Sequence, residues 1–232
     1  MAISLKSTGA VASNGVKLLV YGAAGAGKTT LIRTLPAPVI MSAEAGLLAL
    51  HGADIPYIEI ATMAGLGEAL TWLRDSAEAK QYQSVALDSI SEIAEVVLSA
   101  EKKTAKDPRQ AYGAMADQMN EIIRAFRDLP GRHVYFSAKL EKQQDETGRL
   151  LYGPSMPGNK TGQALPYFFD EVLALRVERD SEGVPQRALM CDTDGQWTAK
   201  DRSGRLDAWE APDLGAIIAK IAGKTGGAGN EK

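Results

Sequence analysis

The sequence predicts an α/β fold, a mostly parallel twisted sheet flanked by helices with antiparallel strands near the C-terminal end. Three stretches carry that expectation. In 16–35 an apolar run empties into a glycine loop and then into apolar residues at helical spacing. In 84–88 a second apolar run closes on an acid. The last third of the chain alternates strand-like runs with turn signals such as Asp194-Gly195.

Taken in order, residues 16–21 form the first strand, and the loop Gly22, Ala23, Ala24, Gly25, Ala26, Gly27, Lys28, Thr29, Thr30 follows. Leu31, Ile32 and Leu35 mark the next helix. Such a loop suits a phosphate. Glycines let backbone N–H groups close around it, and the helix start adds partial positive charge. Lys28 is placed to reach β- and γ-phosphate oxygens, and the Thr29 hydroxyl to hold Mg2+. Pro36 and Pro38 break the chain, and a strand at 39–41 runs into Ser42, Ala43 and Glu44. Glu44 thereby stands at the strand edge where ligands bind in open parallel sheets. It is the leading candidate for a general base, and a surface loop carboxylate is the plainer reading.

Residues 57–60 read as a short strand, and Leu66, Ala69, Leu70 and Leu73 as one face of a helix. Asp88 then ends its strand in the way P-loop proteins hold Mg2+ through water, the alternative being a strand-end cap. Many P-loop ATPases place a catalytic glutamate directly after this aspartate, whereas this chain has Ser89. The base must therefore come from elsewhere, from Glu44 or, in reserve, from Glu92. A helix showing Ile90, Ile93, Val96 and Val97 on one face dissolves at 101–110. There Lys102, Lys103, Lys106 and Arg109 outnumber Glu101 and Asp107, which reads either as a nucleic-acid contact or as a solvated connection.

Met115, Met119, Ile122, Ile123, Phe126 and Leu129 share a face of a long helix stopped at Pro130-Gly131. After a strand at 133–137, residues 139–152 form two polar arms about a turn at 145–148, and the stretch to Gly162 is too rich in Gly and Pro for regular structure. Lys139, Lys142, Arg149 and Lys160 are candidates to meet phosphates and Tyr152 to stack on a base, as in single-strand binders. Glu141, Asp145 and Glu146 in the same loop support a purely structural reading. Strands at 171–178, 187–191 and 196–200 follow, then a helix with Leu214, Ile217, Ile218 and Ile221 inward. Asp192 and Asp194 lack the other ligands of a calcium loop, so a hairpin turn is expected there.

At 232 residues the chain has room for one α/β domain with a sizeable core. The expected organisation is a flexible arm at 1–15, the folded domain at 16–222 and a disordered tail at 223–232. A net charge of −3 gives no global basic field, so any nucleic-acid contact has to come from local clusters. A single cysteine, Cys191, and two histidines argue against an internal disulfide, a zinc site or a Ser-His-Asp centre. No signal peptide or membrane-length apolar run is read, so a cytoplasmic protein without a membrane partner is expected.

The order of motifs from 16 to about 210 resembles the RecA superfamily and, within it, the short phage-encoded RecA-like ATPases that promote single-strand annealing. The residues that carry the resemblance are GAAGAGKT, MSAEAG, SVALDS and GNKTGQALPYFFDEVLALRVERD. The last looks like the family's return from its second DNA-binding loop into a sheet strand. The resemblance implies a RecA-like core, ATP and Mg2+ as cofactors, single-stranded DNA as a partner, and a homo-oligomeric ring or filament. A single-strand binding protein is a further implied partner, and a bacterial host cytoplasm the implied location. It implies Glu44 as the catalytic glutamate, DNA loops at 101–112 and 139–162, and Lys200 and Arg202 as cations reaching a neighbour's nucleotide. Three departures stand beside it. Ser42 replaces an acid that recombinases often carry, no phosphate-sensing amide is evident around 137–139, and the flanking domains of full recombinases are not seen. Annealing or an accessory role is therefore expected over full strand exchange. The alternative readings are a nucleotide-controlled accessory module for helicase loading or packaging, and a small-molecule P-loop kinase.

Overall fold

Every residue of β1 (Lys17–Gly22) is buried, because the strand lies inside the sheet and its two faces feed two cores. Leu18 and Val20 join one with Ile32, Tyr135, Leu173, Leu214 and Ile217. Leu19 and Tyr21 join the other with Leu66, Ile93, Val97, Met115 and Phe136. A strand buried on both sides needs a continuous apolar run rather than alternation, and 16–21 supplies it. The computed structural model describes residues 14–44 and 46–223, with Asn159 and Lys160 in backbone only. Apart from Asn14, Gly15 and Gly223, the expected arm and tail lie outside the described residues.

After β1 come α1 (Lys28–Leu31), β2 (Pro38–Ser42), β3 (Tyr57–Glu59), α2 (Met63–Asp75), β4 (Ser84–Asp88), α3 (Ile90–Thr104), α4 (Pro108–Arg127) and β5 (His133–Gln144). The chain continues with β6 (Leu150–Ser155), α5 (Asn159–Ala164), β7 (Glu171–Arg179), β8 (Pro185–Met190), β9 (Lys200–Asp201), β10 (Trp209–Glu210) and α6 (Leu214–Ile221). The strand order is β10-β8-β7-β1-β5-β4-β2-β3, with β6 on β5 and β9 on β7. From β7 to β3 neighbouring strands are parallel, while β6, β8, β9 and β10 pair antiparallel. The fold is thus the expected mixed α/β sheet, mostly parallel, with antiparallel strands late in the chain. Side-chain oxygens of Thr62, Ser89, Asp107 and Asp213 cap α2, α3, α4 and α6, each accepting an otherwise unpaired backbone N–H.

Four local expectations are corrected. The helix after the glycine loop is one α-turn followed by a 3-10 turn at Ile32–Thr34, since the Leu35-Pro36 step forces the chain extended. The basic segment at 101–112 is mostly helical. Its first residues complete α3, and Asp107 with Pro108 starts α4 as N-cap and first helical residue, a role for proline that resembles a break in sequence alone. The Gly- and Pro-rich stretch contains the end of β6 and all of α5. Pro154 fits because the ladder of β6 runs along β5 alone, with one isolated bridge at Tyr152 on its other side, so its missing N–H costs no ladder bond. Residues 196–199 form no strand. Trp197 makes an isolated bridge to Tyr152, and the Asp194 carboxylate binds the N–H groups of Gln196 and Trp197, so this segment satisfies itself as a turn.

Candidate functional site

The parallel register brings the C-terminal ends of β1, β2 and β4 and the middle of β5 to one edge, with Gly22 opposite Lys139 and Ser42 opposite Asp88. At the end of β1 the chain passes so close to β7 that a Cβ on Gly22 would stand 2.8 Å from the Leu175 carbonyl oxygen. Gly27 caps α1 at a φ of 108°, a left-handed conformation that favours glycine. Ala23, Ala24, Gly25 and Thr30 are exposed and Ala26 is buried. The loop therefore presents its backbone outward while one residue anchors it.

Lys28 folds back over this loop and donates to the carbonyls of Gly22 at 2.9 Å and Ala23 at 3.0 Å. The hydroxyl of Thr29 donates to Asp88 Oδ2 at 2.7 Å, and that of Ser137 donates to Asp88 Oδ1. Burial pushes the Asp88 carboxyl up, against the hydrogen bonds from Ser137 and Thr29 and the charge of Lys28. Burial also pushes the Lys28 ammonium down, against the attraction of Asp88 and Glu44. Each charge is poorly hydrated where it stands, and a counter-charge would relieve it: a cation at Asp88, an anion at Lys28.

Glu44 lies two residues past β2 on the same edge. Its Oε1 accepts from the Ser89 hydroxyl at 2.5 Å, and its backbone oxygen accepts from the Ser42 hydroxyl at 2.7 Å. Ala43 N–H donates to the Asp88 carbonyl at 3.1 Å, which ties the turn after β2 to the end of β4. Glu92, the reserve base, instead takes the Lys139 ammonium at 2.5 Å. The two carboxylates are thus already in different employment.

Among the described residues no group of three or more His, Cys, Asp or Glu side chains is placed to hold a metal. The donor set that is present, one hydroxyl and one carboxylate, fits Mg2+, which keeps several waters and takes its remaining ligands from phosphates. Thr29 and Asp88 are the residues that would hold it.

Three side chains at this edge escape sequence reasoning. Tyr135 OH donates to the Lys28 carbonyl at 2.8 Å, and Ser137 reaches Asp88 as described. A serine closing an otherwise apolar strand was the available signal for the second. Arg187 has no local signal. The β7–β8 hairpin brings it to the loop, where its Nε donates to the Ala26 carbonyl at 3.0 Å. It borders a cavity of about 420 Å3 with Gly27, Thr30, Arg33, Leu175 and Pro212.

The predicted DNA-directed cations fall elsewhere, apart from Lys139. Lys102 and Lys103 occupy the last turn of α3, where cations offset the helix dipole, and the Lys102 ammonium lies 5.4 Å from the Tyr112 ring centre. Lys106 lies between α3 and α4 and Arg109 in the first turn of α4, both exposed. Lys142 and Arg149 belong to the β5–β6 hairpin and are exposed. The Tyr152 ring is stacked on Trp197 at 4.4 Å, so one of its faces is taken. The side chain of Lys160 lies outside the described residues. The two predicted segments do meet, since a Cβ on Gly158 would stand 3.6 Å from the Tyr112 ring.

Lys200 and Arg202, which the resemblance casts as cations reaching a neighbour's nucleotide, are both engaged within this chain. The Lys200 ammonium donates to the carbonyls of Pro166 and Phe169 at 2.7 and 2.6 Å, and Arg202 pairs with Asp170 at 3.0 Å. Both sit by the start of β7, which pairs with the start of β1, at the other end of the sheet from the glycine loop.

A family model described as an AAA domain matches residues 14–203. No curated protein matches the chain. Among solved structures, a KaiC-like protein from the hyperthermophilic archaeon Pyrococcus horikoshii is 12% identical over 76% of this chain and 78% of that chain, with a TM-score of 0.41.

Proposed function

Because the chain belongs to the AAA domain family, we propose that it is a Mg2+-dependent ATPase whose nucleotide cycle serves single-stranded DNA binding and annealing by an oligomer. The observation that carries the ATPase reading is the convergence on one sheet edge of Lys28, the Thr29–Asp88–Ser137 cluster and Glu44.

In this reading the loop N–H groups and Lys28 bind the β- and γ-phosphates, Lys28 leaving its two loop carbonyls for the phosphate oxygens. Thr29 and Asp88 hold the Mg2+, which when bound supplies charge neutralisation across the phosphates. The cavity beside Thr30 and Arg187 takes the nucleoside. Glu44 accepts a proton from the attacking water as that oxygen bonds to the γ-phosphorus and the bond to the ADP oxygen breaks. The Ser89 hydroxyl orients Glu44 through one carboxylate oxygen and leaves the other for the water. The DNA part rests on the exposed cations of the α3–α4 connection and the β5–β6 hairpin, whose flanking segments touch at Tyr112 and Gly158.

The test is hydrolysis of ATP with and without Mg2+ and single-stranded DNA. The expected outcome is Mg2+-dependent turnover that rises with DNA, and its loss by a factor on the order of 10^3 in Lys28→Ala. Turnover that survives Lys28→Ala would reject the site. Tight ATP binding without turnover would favour the second reading, a nucleotide-controlled accessory module.

A further inference from the structure

We propose that Lys139 is a second phosphate-binding cation of the nucleotide site, held away from it by Glu92 until a nucleotide with a terminal phosphate takes it over. The inference rests on the nucleotide reading above and moves Lys139 from the DNA surface, where charge pattern alone places it, to the site.

Strand geometry supplies the first argument. Side chains two apart on a strand point the same way. Tyr135, Ser137 and Lys139 are three such residues of β5, and the first two are spent on the site, Tyr135 on the backbone of Lys28 and Ser137 on Asp88. Lys139 is the next in that row, at the level where β5 lies opposite Gly22, the first residue of the phosphate loop.

Electrostatics supplies the second. The hydrogen bond to Glu92 raises the Lys139 ammonium, and the Glu44 carboxylate helps to raise it further. Lys139 therefore already lies in the field of the group assigned to the water.

The Lys139 ammonium is also free to exchange its partner. The Lys139–Glu92 pair is partly exposed on both sides, 52% for the lysine and 34% for the glutamate, and such pairs are weak and easily exchanged. A terminal phosphate bears more charge than one carboxylate. The backbone of Lys139, by contrast, is fixed: its N–H donates to Ser91 Oγ at 2.9 Å, and that hydroxyl donates to the Ser155 carbonyl at 2.7 Å. The ammonium can change partner while the chain stays in place. Glu92 thus acts as a competitor for the cation, which gives the two residues opposite signs in any binding measurement.

The experiment measures affinities of the full chain for ADP and for a non-hydrolysable ATP analogue, both with Mg2+, by calorimetry. Lys139→Met should weaken the triphosphate about tenfold and leave ADP unchanged, as expected for one lost charge-assisted bond to the terminal phosphate. Lys139→Arg should restore most of that loss. Glu92→Gln should tighten the triphosphate about threefold by removing the competitor. Equal loss of both nucleotides, or no loss, in a folded Lys139→Met would overturn the inference. So would a lower affinity of that variant for a single-stranded oligonucleotide without nucleotide, which would return Lys139 to the DNA face. If the parent chain binds neither nucleotide, the nucleotide reading itself has failed, an outcome distinct from any behaviour of Lys139.

Discussion

The two ends of β1 carry lysines in opposite employment. At the start of the strand the Lys17 ammonium is buried and donates to the carbonyls of Asn14, three residues back, and of Leu129 and Arg132, 112 and 115 positions on, and burial lowers it to about 8. Lys200, near the same end, ties Pro166 to Phe169. At the far end Lys28 rests on two carbonyls of its own loop, five and six residues away, with Asp88 and Glu44 beside it, and Lys139 rests on one partly exposed glutamate. The first pair locks distant segments together and cannot leave without unpairing buried carbonyls. The second pair holds bonds that a phosphate can replace. On the proposed reading, what separates a structural from a functional lysine is the exchangeability of its partner, not its charge or its motif.

The sharpest way to break that contrast is at Glu44, the proposed base. Glu44→Gln should keep ATP binding and lose hydrolysis by a factor on the order of 10^2 to 10^4, since Gln can hold a water yet accept no proton. If Glu92→Gln loses hydrolysis instead, the two carboxylates have been assigned the wrong way round. At the opposite end, Lys200→Met should cost about 2 kcal/mol through unpaired carbonyls, a fall in Tm on the order of 4–8 °C, with turnover per folded molecule unchanged. Lost turnover at an unchanged Tm would show Lys200 acting on a nucleotide after all.

A third set of cations, neither locked nor at the site, sharpens the comparison further. Replacing Lys102, Lys103, Lys142 and Arg149 together by Glu should lower affinity for a single-stranded oligonucleotide about tenfold at low salt and less at high salt. Unchanged anisotropy would leave these residues as plain surface. A pH-dependent effect on stability is expected from Glu171, fully buried at the start of β7 with Oε2 unpartnered among the described residues. Burial, reinforced by Asp201, raises it from 4.5 to about 8. Between those values the folded protein keeps a proton that the unfolded chain has released, so stability is lost as pH rises through the window. Glu171→Gln stays neutral throughout. Its Tm should match the parent's at about pH 5 and exceed it at about pH 8. Parallel pH profiles would mean that Glu171 is ionised in the fold.

Much of this was legible in sequence because it is local. The glycine loop, the acid ending β4 and the apolar faces of α2, α3, α4 and α6 each depend on residues within a few turns of one another, and all six formed where the sequence put them. The failures are also local, but they turn on competing uses of one residue. Pro108 begins a helix instead of interrupting one, Pro154 sits in an edge strand, and Asp194 binds its own backbone where a strand was expected. Lys200 and Arg202 show the limit most plainly. Their spacing allowed two outward cations, and only the path of the chain past Pro166 and Asp170 turned them into internal ties.

The sequence by itself determined the phosphate loop, its lysine and hydroxyl, and the order of strands and helices around them, because hydrophobic period and backbone sterics act over short range. Tertiary structure alone decided which polar groups share an edge: Ser137 and Thr29 on Asp88, Ser89 on Glu44, Tyr135 and Arg187 on the loop, Glu92 on Lys139. Those contacts join residues from 45 to 161 positions apart. No short-range pattern encodes them, since they exist only once the parallel register has fixed which strand ends are neighbours.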